Sequence, residues 1–368
     1  MSRIGRIAGA IAGPVVLLAM YLLFWPVPID PVAWDAPEDR GLVDPFEPNS
    51  RLARARSIDL GPHEGPEDIT GGPDGLIYTA TGDGNVIRFR PNGTNLEVFA
   101  ETGGRPLGLE FDRAGNLFVA NAYLGLQRIT PDGVVEILAD SYDGEPIPYA
   151  DDVAVAADGR IYFSDASAKF GALKTGGSYE ASLLDIMEHG GHGRIFRFDS
   201  ATGTTDVIVE RLNFANGVAV SDDQRYLMIC ETGTYRILRH WLAGEKAGQT
   251  EVVIDNLPGF PDNINNGRSG KFWIGLVAPR NKLLDDMSGA PWLRKLVQRL
   301  PAFMRPRATP SSHVIAINGD GDVLMNLQDT AARLPALTGV YETDAALWLT
   351  SLFGNRTARL DKRDLANP

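Results

Sequence analysis

Six segments of the chain repeat one pattern, and self-similarity at intervals of 40 residues or more restricts the fold more than any other feature. Each segment opens on a small or polar pair, runs through an apolar alternation to a Gly, Asn or Asp turn, then gives a second strand with an aromatic residue or Met. The opening residues are Glu67, Leu107, Asp151, Asn216, Asp262 and Thr338; the aromatic or Met positions are Tyr78, Phe118, Tyr162, Met228, Trp273 and Trp348. The intervals are 11, 11, 11, 12, 11 and 10 residues. A third strand follows in every unit, as in Val86–Phe89 and Ile195–Phe198, and a fourth in five of the six. Four strands joined by turn residues make a propeller blade. The predicted fold is all-β, a six-bladed β-propeller over residues 55–368, with an N-terminal transmembrane helix. The sixth unit has no room for a fourth strand. Arg56–Leu60 can supply it, which would close the ring and remove both exposed sheet edges.

The helix is predicted from Ile7 to Ile29, a run without charge preceded by Arg3 and Arg6. About 20 apolar residues span a bilayer, more than the apolar region of a signal peptide needs. Residues 1–29 therefore read as a cytoplasmic tip and an uncleaved membrane anchor. The arginines place the N-terminus inside, so the propeller lies outside the cytoplasm, in periplasm, lumen or extracellular space. Residues 30–54 read as a linker, entered through the stiffening prolines Pro26, Pro28 and Pro31.

The repeat openings are separated by 40, 44, 65, 46 and 76 residues, so the long gaps hold insertions at about 166–192 and 278–311. Both follow the second strand of a blade and should hang over the same face. The second has a helical apolar period. Loops over one face of a rigid scaffold shape binding sites.

A formal net charge of −12 and the lack of a basic stripe argue against a nucleic-acid partner. The single cysteine, Cys230, sits in the apolar run Tyr226–Cys230 with no histidine pairing in view, which reads as an inert buried thiol. No serine-hydrolase elbow, zinc-protease motif or phosphate loop is present.

In a propeller the inner strands begin at one end of a central channel, so the six opening residues form a ring there. Glu67, Asp151, Asn216 and Asp262 make four of the six carboxylates or amides. The next positions are Asp68, Gly108, Asp152, Gly217, Asn263 and Gly339. Converging carboxylates repel and lose hydration, and a cation relieves both. All-oxygen donors suit Ca²⁺, whereas zinc would want His or Cys. The plainer alternative is that these residues cap strands and turns.

Further motifs add a resemblance. Gly65-Pro-Glu-Asp-Ile, Gly104-Arg-Pro-Leu-Gly-Leu, Asn121-Ala-Tyr-Leu-Gly-Leu, Ile161-Tyr-Phe-Ser-Asp-Ala-Ser, Asn213-Phe-Ala-Asn-Gly-Val-Ala and Leu257-Pro-Gly-Phe-Pro-Asp-Asn-Ile resemble the strictosidine synthase-like family. The likeness includes its anchored, adipocyte plasma membrane-associated branch and runs over about residues 26–361. The wider group holds the paraoxonases and the gluconolactonase/regucalcin proteins. It implies a calcium at the channel mouth, with Glu67, Asp151, Asn216, Asp262 and Asn263 matching its ligands and Asp151 replacing a usual Asn. Asp68 and Asp152 match two ligands of a second, structural calcium. Two departures count against inherited mechanisms. Thr338 stands where strictosidine synthase has its glutamate base, and Leu107 and Ala122 where paraoxonases have a histidine pair.

The resulting expectation is a membrane-anchored, calcium-dependent hydrolase of lactones or aryl esters. Water would be the nucleophile, with Asp151, then Glu67, as its base. Asp165 and Glu231, at the ends of second strands, are further candidates for that role, or else structural hydrogen-bond acceptors. The partners would be a small ester, lactone or carbonyl compound and the membrane. The alternatives are an amine–aldehyde condensing lyase and a non-catalytic, ligand-binding propeller.

Overall fold

The computed structural model describes residues 3–365, with side chains from Gly13 onward. Six four-stranded antiparallel sheets follow one another along the chain. Their inner strands are Ile69–Gly71, Pro106–Phe111, Ala150–Val155, Ala215–Val220, Gly259–Asn266 and Leu337–Glu342. The predicted propeller forms. Arg56–Asp59 pairs antiparallel with Arg356–Asp361 as the outer strand of the last blade, Arg56 opposite Arg359. The start of the domain thus closes the ring, as the short sixth repeat requires.

The spacing in the repeat is a rule for packing one blade on the next. All six aromatic or Met residues of the second strands are buried. Tyr78 packs with Leu109, Phe118 with Val153, Tyr162 with Val218, Met228 with Ile264, and Trp273 with Val340. Trp348 packs back onto Ile69 and Ile77 of the first blade. Burial of each such side chain contributes ~1.5–3 kcal/mol, so closure is enforced six times over.

The inner strands share an irregularity that decides where the site lies. Between Pro106 and Leu109, Ala150 and Val153, Ala215 and Val218, Pro261 and Ile264, and Leu337 and Val340, three steps on the inner strand match two on its neighbour. Each is a β-bulge, which breaks the ladder and re-aims the residues within it. Those residues are the opening pairs of the repeat. In the first blade, Glu67 and Asp68 lie just ahead of Ile69–Gly71 instead.

The second residues of the pairs alternate between Asp or Asn and Gly around the ring, and the structure shows why. Asp68 accepts from the Leu109 amide at 3.2 Å and from Asn265 at 2.9 Å, joining three blades. Asp152 accepts from the Val153 and Val218 amides, both at 2.8 Å. A methyl group on Gly108 would stand 2.2 Å from Asp152 Oδ1, and one on Gly339 2.4 Å from Asp68 Oδ1. The glycines are the space these carboxylates occupy.

The first insertion contains α2 (Ala172–Thr175) and α3 (Ser178–Glu188); the second contains α4 (Lys282–Asp286) and α5 (Pro291–Gln298). Residues 30–54, read as a linker, are strapped down. The Val32 amide donates to Glu188 O, the Trp34 amide to Ser288 O, and the Trp34 ring stacks on His189 at 4.1 Å. Buried Arg294 of α5 donates to the carbonyls of Val32, Met187, Glu188, Met287 and Ser288, tying strap and both insertions together. Ahead of the strap, α1 spans Arg3–Phe24. Among the described residues no helix is long and apolar enough to cross a membrane, and the side chains of residues 1–12, which include the first six of the expected Ile7–Ile29 helix, lie outside them.

Replacing Gly108 by Ala should lower stability by about 1–3 kcal/mol, because the added methyl overlaps the Asp152 carboxylate. The Gly289→Ala variant, whose methyl meets open space, should leave the denaturant midpoint unchanged.

Candidate functional site

The channel mouth is the floor of a cleft of about 850 Å³ measured out to its open rim. Glu67, Asp151, Asn216 and Asp262 lie on the floor; Leu107, Tyr149, Phe214 and Phe260 form the lower wall. Tyr179 and Ile186 from the first insertion and Leu284 from the second form the upper wall. Both insertions cover the same face, as predicted.

The bulges bring the predicted ring together. Asp262 lies against Glu67 and Asn216, and Glu67 feels the charges of Asp262, Asp151 and Asp68. Asn263 donates to Glu67 O at 3.2 Å from the adjacent pair position. Burial first, then the neighbouring carboxylates, pushes Glu67 and Asp151 well above the usual carboxylate range, and burial lifts Asp262 to about 7.

Three buried oxygens in this ring, Glu67 Oε2, Asn216 Oδ1 and Asn263 Oδ1, have no hydrogen-bond partner. An unpartnered buried polar atom costs ~1–3 kcal/mol, and three at one spot, all acceptors, point to a missing positive charge. Charge counting agrees. Buried Arg105 faces Glu67 and Asp151. Glu67, Asp151 and Asp262 against this one guanidinium leave two negative charges, which one divalent cation would neutralise. Among the described residues, no group of three or more His, Cys, Asp or Glu side chains is by itself arranged to hold a metal. Glu67, Asp151 and Asp262 thus form no ready-made cage on their own, and the amide oxygens of Asn216 and Asn263 are needed to complete a donor set. The donor set is all oxygen and fits calcium.

The other candidate residues resolve differently. Asp68 has both carboxylate oxygens engaged across blades, and Asp152 has one across to Val218 and one on the Val153 amide of its own strand, a use the second-ion expectation did not foresee. Asp165 accepts from the Tyr149 amide at 3.2 Å and from Arg194. Glu231 accepts from the Asn213 amide at 2.8 Å and from Arg236. Asn121 accepts from the Arg105 amide at 3.0 Å in the same way. These three side chains clamp the turns carrying Tyr149, Phe214 and Arg105, and so act on the cleft wall. Phe214 needs such a clamp, because its φ of 61° is strained for an aromatic residue. The Thr338 hydroxyl donates to Glu67 O, which makes it a backbone tie. Leu107 is a wall residue and Ala122 is buried behind it. Cys230 is fully buried, and burial pushes its thiol pKa well up.

Sequence reasoning missed Arg105. It occupies the position two before the opening residue, where the other blades carry Gly65, Tyr149, Phe214, Phe260 and Ala336. A cation in that apolar series was the available signal.

Comparisons with known proteins place this geometry. The strictosidine synthase family profile matches residues 151–245, and the strictosidine synthase-like N-terminal profile matches residues 44–89. The adipocyte plasma membrane-associated protein of Salmo salar is 31% identical over 98% of this chain and 91% of its own length. The chain belongs to the strictosidine synthase-like family. Strictosidine synthase-like protein 6 of Arabidopsis thaliana is 34% identical, over 84% of this chain and 82% of its own. Among solved structures, a gluconolactonase from Xanthomonas campestris superposes with a TM-score of 0.61 at 17% identity, covering 85% of this chain and 91% of that one. The calcium-binding protein regucalcin from Agrobacterium tumefaciens gives 0.58 at 14% identity, over 83% and 92%. At such identities these two establish the shared fold.

In this strictosidine synthase-like propeller, α3 reports on the cleft through Asp185. Its Oδ2 accepts from Ser167 at 2.5 Å, its Oδ1 is buried without a partner, and burial raises its pKa from 3.8 to about 7. A carboxyl raised on folding contributes stability at low pH that is lost as pH rises through its folded value. Stability should therefore fall between about pH 4 and pH 7, and Asp185→Asn should flatten that part of a thermal-denaturation profile against pH.

Proposed function

We propose that the protein is a membrane-anchored, calcium-dependent hydrolase of lactones or aryl esters. The observation that carries this reading is the set of three unpartnered oxygens in the ring of opening pairs, whose Glu67 and Asn216 line the floor of an apolar-walled cleft. Glu67, Asn216, Asp262 and Asn263 would hold the ion, with Asp151 completing the ring. When bound, calcium supplies a Lewis acid that polarises a carbonyl and stabilises an oxyanion.

The chain's own residues account for the remaining steps. Leu107, Phe214 and Phe260 seat the apolar part of the ester and keep bulk water from the floor. Asp151 lies on the cleft floor, where it would take a proton from water. The water oxygen bonds to the carbonyl carbon, the ester C–O bond breaks, and the proton passes on to the leaving oxygen. Arg105 balances the buried charge throughout. Condensation of an amine with an aldehyde is less well supported, because Thr338 cannot serve as a base near neutral pH and its hydroxyl is committed to Glu67 O.

The anchor rests on α1. Val15, Val16, Leu17, Leu18, Met20 and Leu23 are all exposed, a surface that water disfavours and lipid accepts. The propeller then lies outside the cytoplasm. The names of the adipocyte plasma membrane-associated relatives support membrane association.

The test is hydrolysis of a panel of lactones and aryl esters by the full chain, with and without a calcium chelator. Turnover should vanish with chelator and return with calcium. Asn216→Ala and Asp262→Ala should each lower it by at least about tenfold. Turnover indifferent to chelation, or none on any ester, would defeat the reading and favour a binding protein.

A further inference from the structure

The exposed aromatic residues are unevenly placed. Among the described residues they are Tyr21, Phe24 and Trp25 at the end of α1, Trp292 and Phe303 in the second insertion, and Phe353. Phe353 lies in the loop after the second strand of blade 6 and packs edge-on against Tyr179 of the cleft wall at 5.4 Å. Every one therefore sits on α1 or on the cleft face. Phe303 is 79% exposed and Trp292 63%, and Met304 and Leu173 extend the same apolar surface. Large exposed apolar side chains gathered on one face mark an interaction surface.

Charge narrows the partner. Residues 278–311 carry seven Lys or Arg and two Asp or Glu, a net +5 within a chain of net −12. Arg280 and Lys282 pair with Asp285 and Asp286, Lys295 pairs with Asp30, and Arg294 is buried. Among the described residues, Arg299, Arg305 and Arg307 have no carboxylate partner. Arg307 lies at the cleft rim, four residues from Phe303. Cations interleaved with Trp and Phe fit an anionic lipid interface, where aromatic rings sit at headgroup level.

Continuity with α1 fixes the orientation. Arg299 Nε donates to Trp25 O at 2.6 Å and its Nη1 to Leu22 O at 3.0 Å, capping the open carbonyls of α1. The Tyr21 hydroxyl donates back to Arg299 O at 2.9 Å. The insertion that roofs the cleft is thus bound to the last turn of the helix proposed to leave the membrane.

We infer that the propeller docks cleft-face down on an anionic bilayer, with Trp292, Phe303 and Met304 in the interface and Arg299, Arg305 and Arg307 at the headgroups. The cleft then opens at the lipid surface, and its apolar walls receive substrates that partition there. This inference rests on the anchored reading, and the experiment separates the two.

Cys230 is buried, so a second cysteine would be the one accessible thiol. Spin labels at Leu17→Cys, Phe303→Cys and Ala201→Cys report on α1, the cleft face and a turn on the opposite face. The full chain is reconstituted into phosphatidylcholine vesicles with and without phosphatidylglycerol, and each label's accessibility to oxygen and to a water-soluble nickel chelate is measured. Docking predicts that the labels at 17 and 303 favour oxygen and the label at 201 favours the chelate. Phosphatidylglycerol should deepen the label at 303, and Arg305→Gln with Arg307→Gln should abolish that deepening. A lipid-immersed label at 17 with an aqueous label at 303 overturns docking and leaves the anchor standing. Aqueous labels at both positions overturn both.

Discussion

The extra residue at the start of five of the six inner strands is the constraint on which the rest depends. A regular ladder would send alternate residues up and down the strand and point only some of them at the axis. The bulges release two consecutive residues in each of five blades from pairing with the second strand. One residue of the pair then faces the channel mouth and the next locks blade to blade. Asp151 with Asp152 shows the division, the first on the cleft floor and the second bonded to the Val218 amide.

That division concentrates negative charge where water has been removed. Three carboxylates, two amides and one guanidinium form a set that is two charges short of balance and has three acceptor oxygens facing nothing. Protons can relieve part of this, as the raised pKa values of Glu67, Asp151 and Asp262 indicate. A hard divalent cation relieves all of it while leaving the carboxylates ionised. The staples beneath, Asp68 and Asp152, keep the ring rigid, and the clamps Asn121, Asp165 and Glu231 keep the wall in place.

The periodic part of this architecture was legible in the sequence. Interval lengths of 10–12 residues reveal blades because each aromatic must reach the next blade, and the short last repeat reveals closure by Arg56–Asp59. The ring residues were legible because they recur at one phase of the repeat. What was not legible depends on backbone partners in other blades. Nothing local to Asp68 says that its oxygens bond to Leu109 and Asn265, which are 41 and 197 residues away. For Asp165 and Glu231 the acceptor role was one of two readings the sequence allowed, but their amide partners, Tyr149 and Asn213, lie in turns that precede their own inner strands. The strap at 30–54 carries no repeat at all, and its contacts with Glu188 and Ser288 exist only because both insertions fold over one face.

The most direct test of the central claim is crystallographic. A crystal of the full chain grown with calcium should show one ion bonded to Glu67 Oε2, Asn216 Oδ1 and Asn263 Oδ1 at about 2.3–2.6 Å. If saturating calcium leaves those three oxygens contacting only water, the ring is not a cation site, and the account of the cleft built on it is wrong.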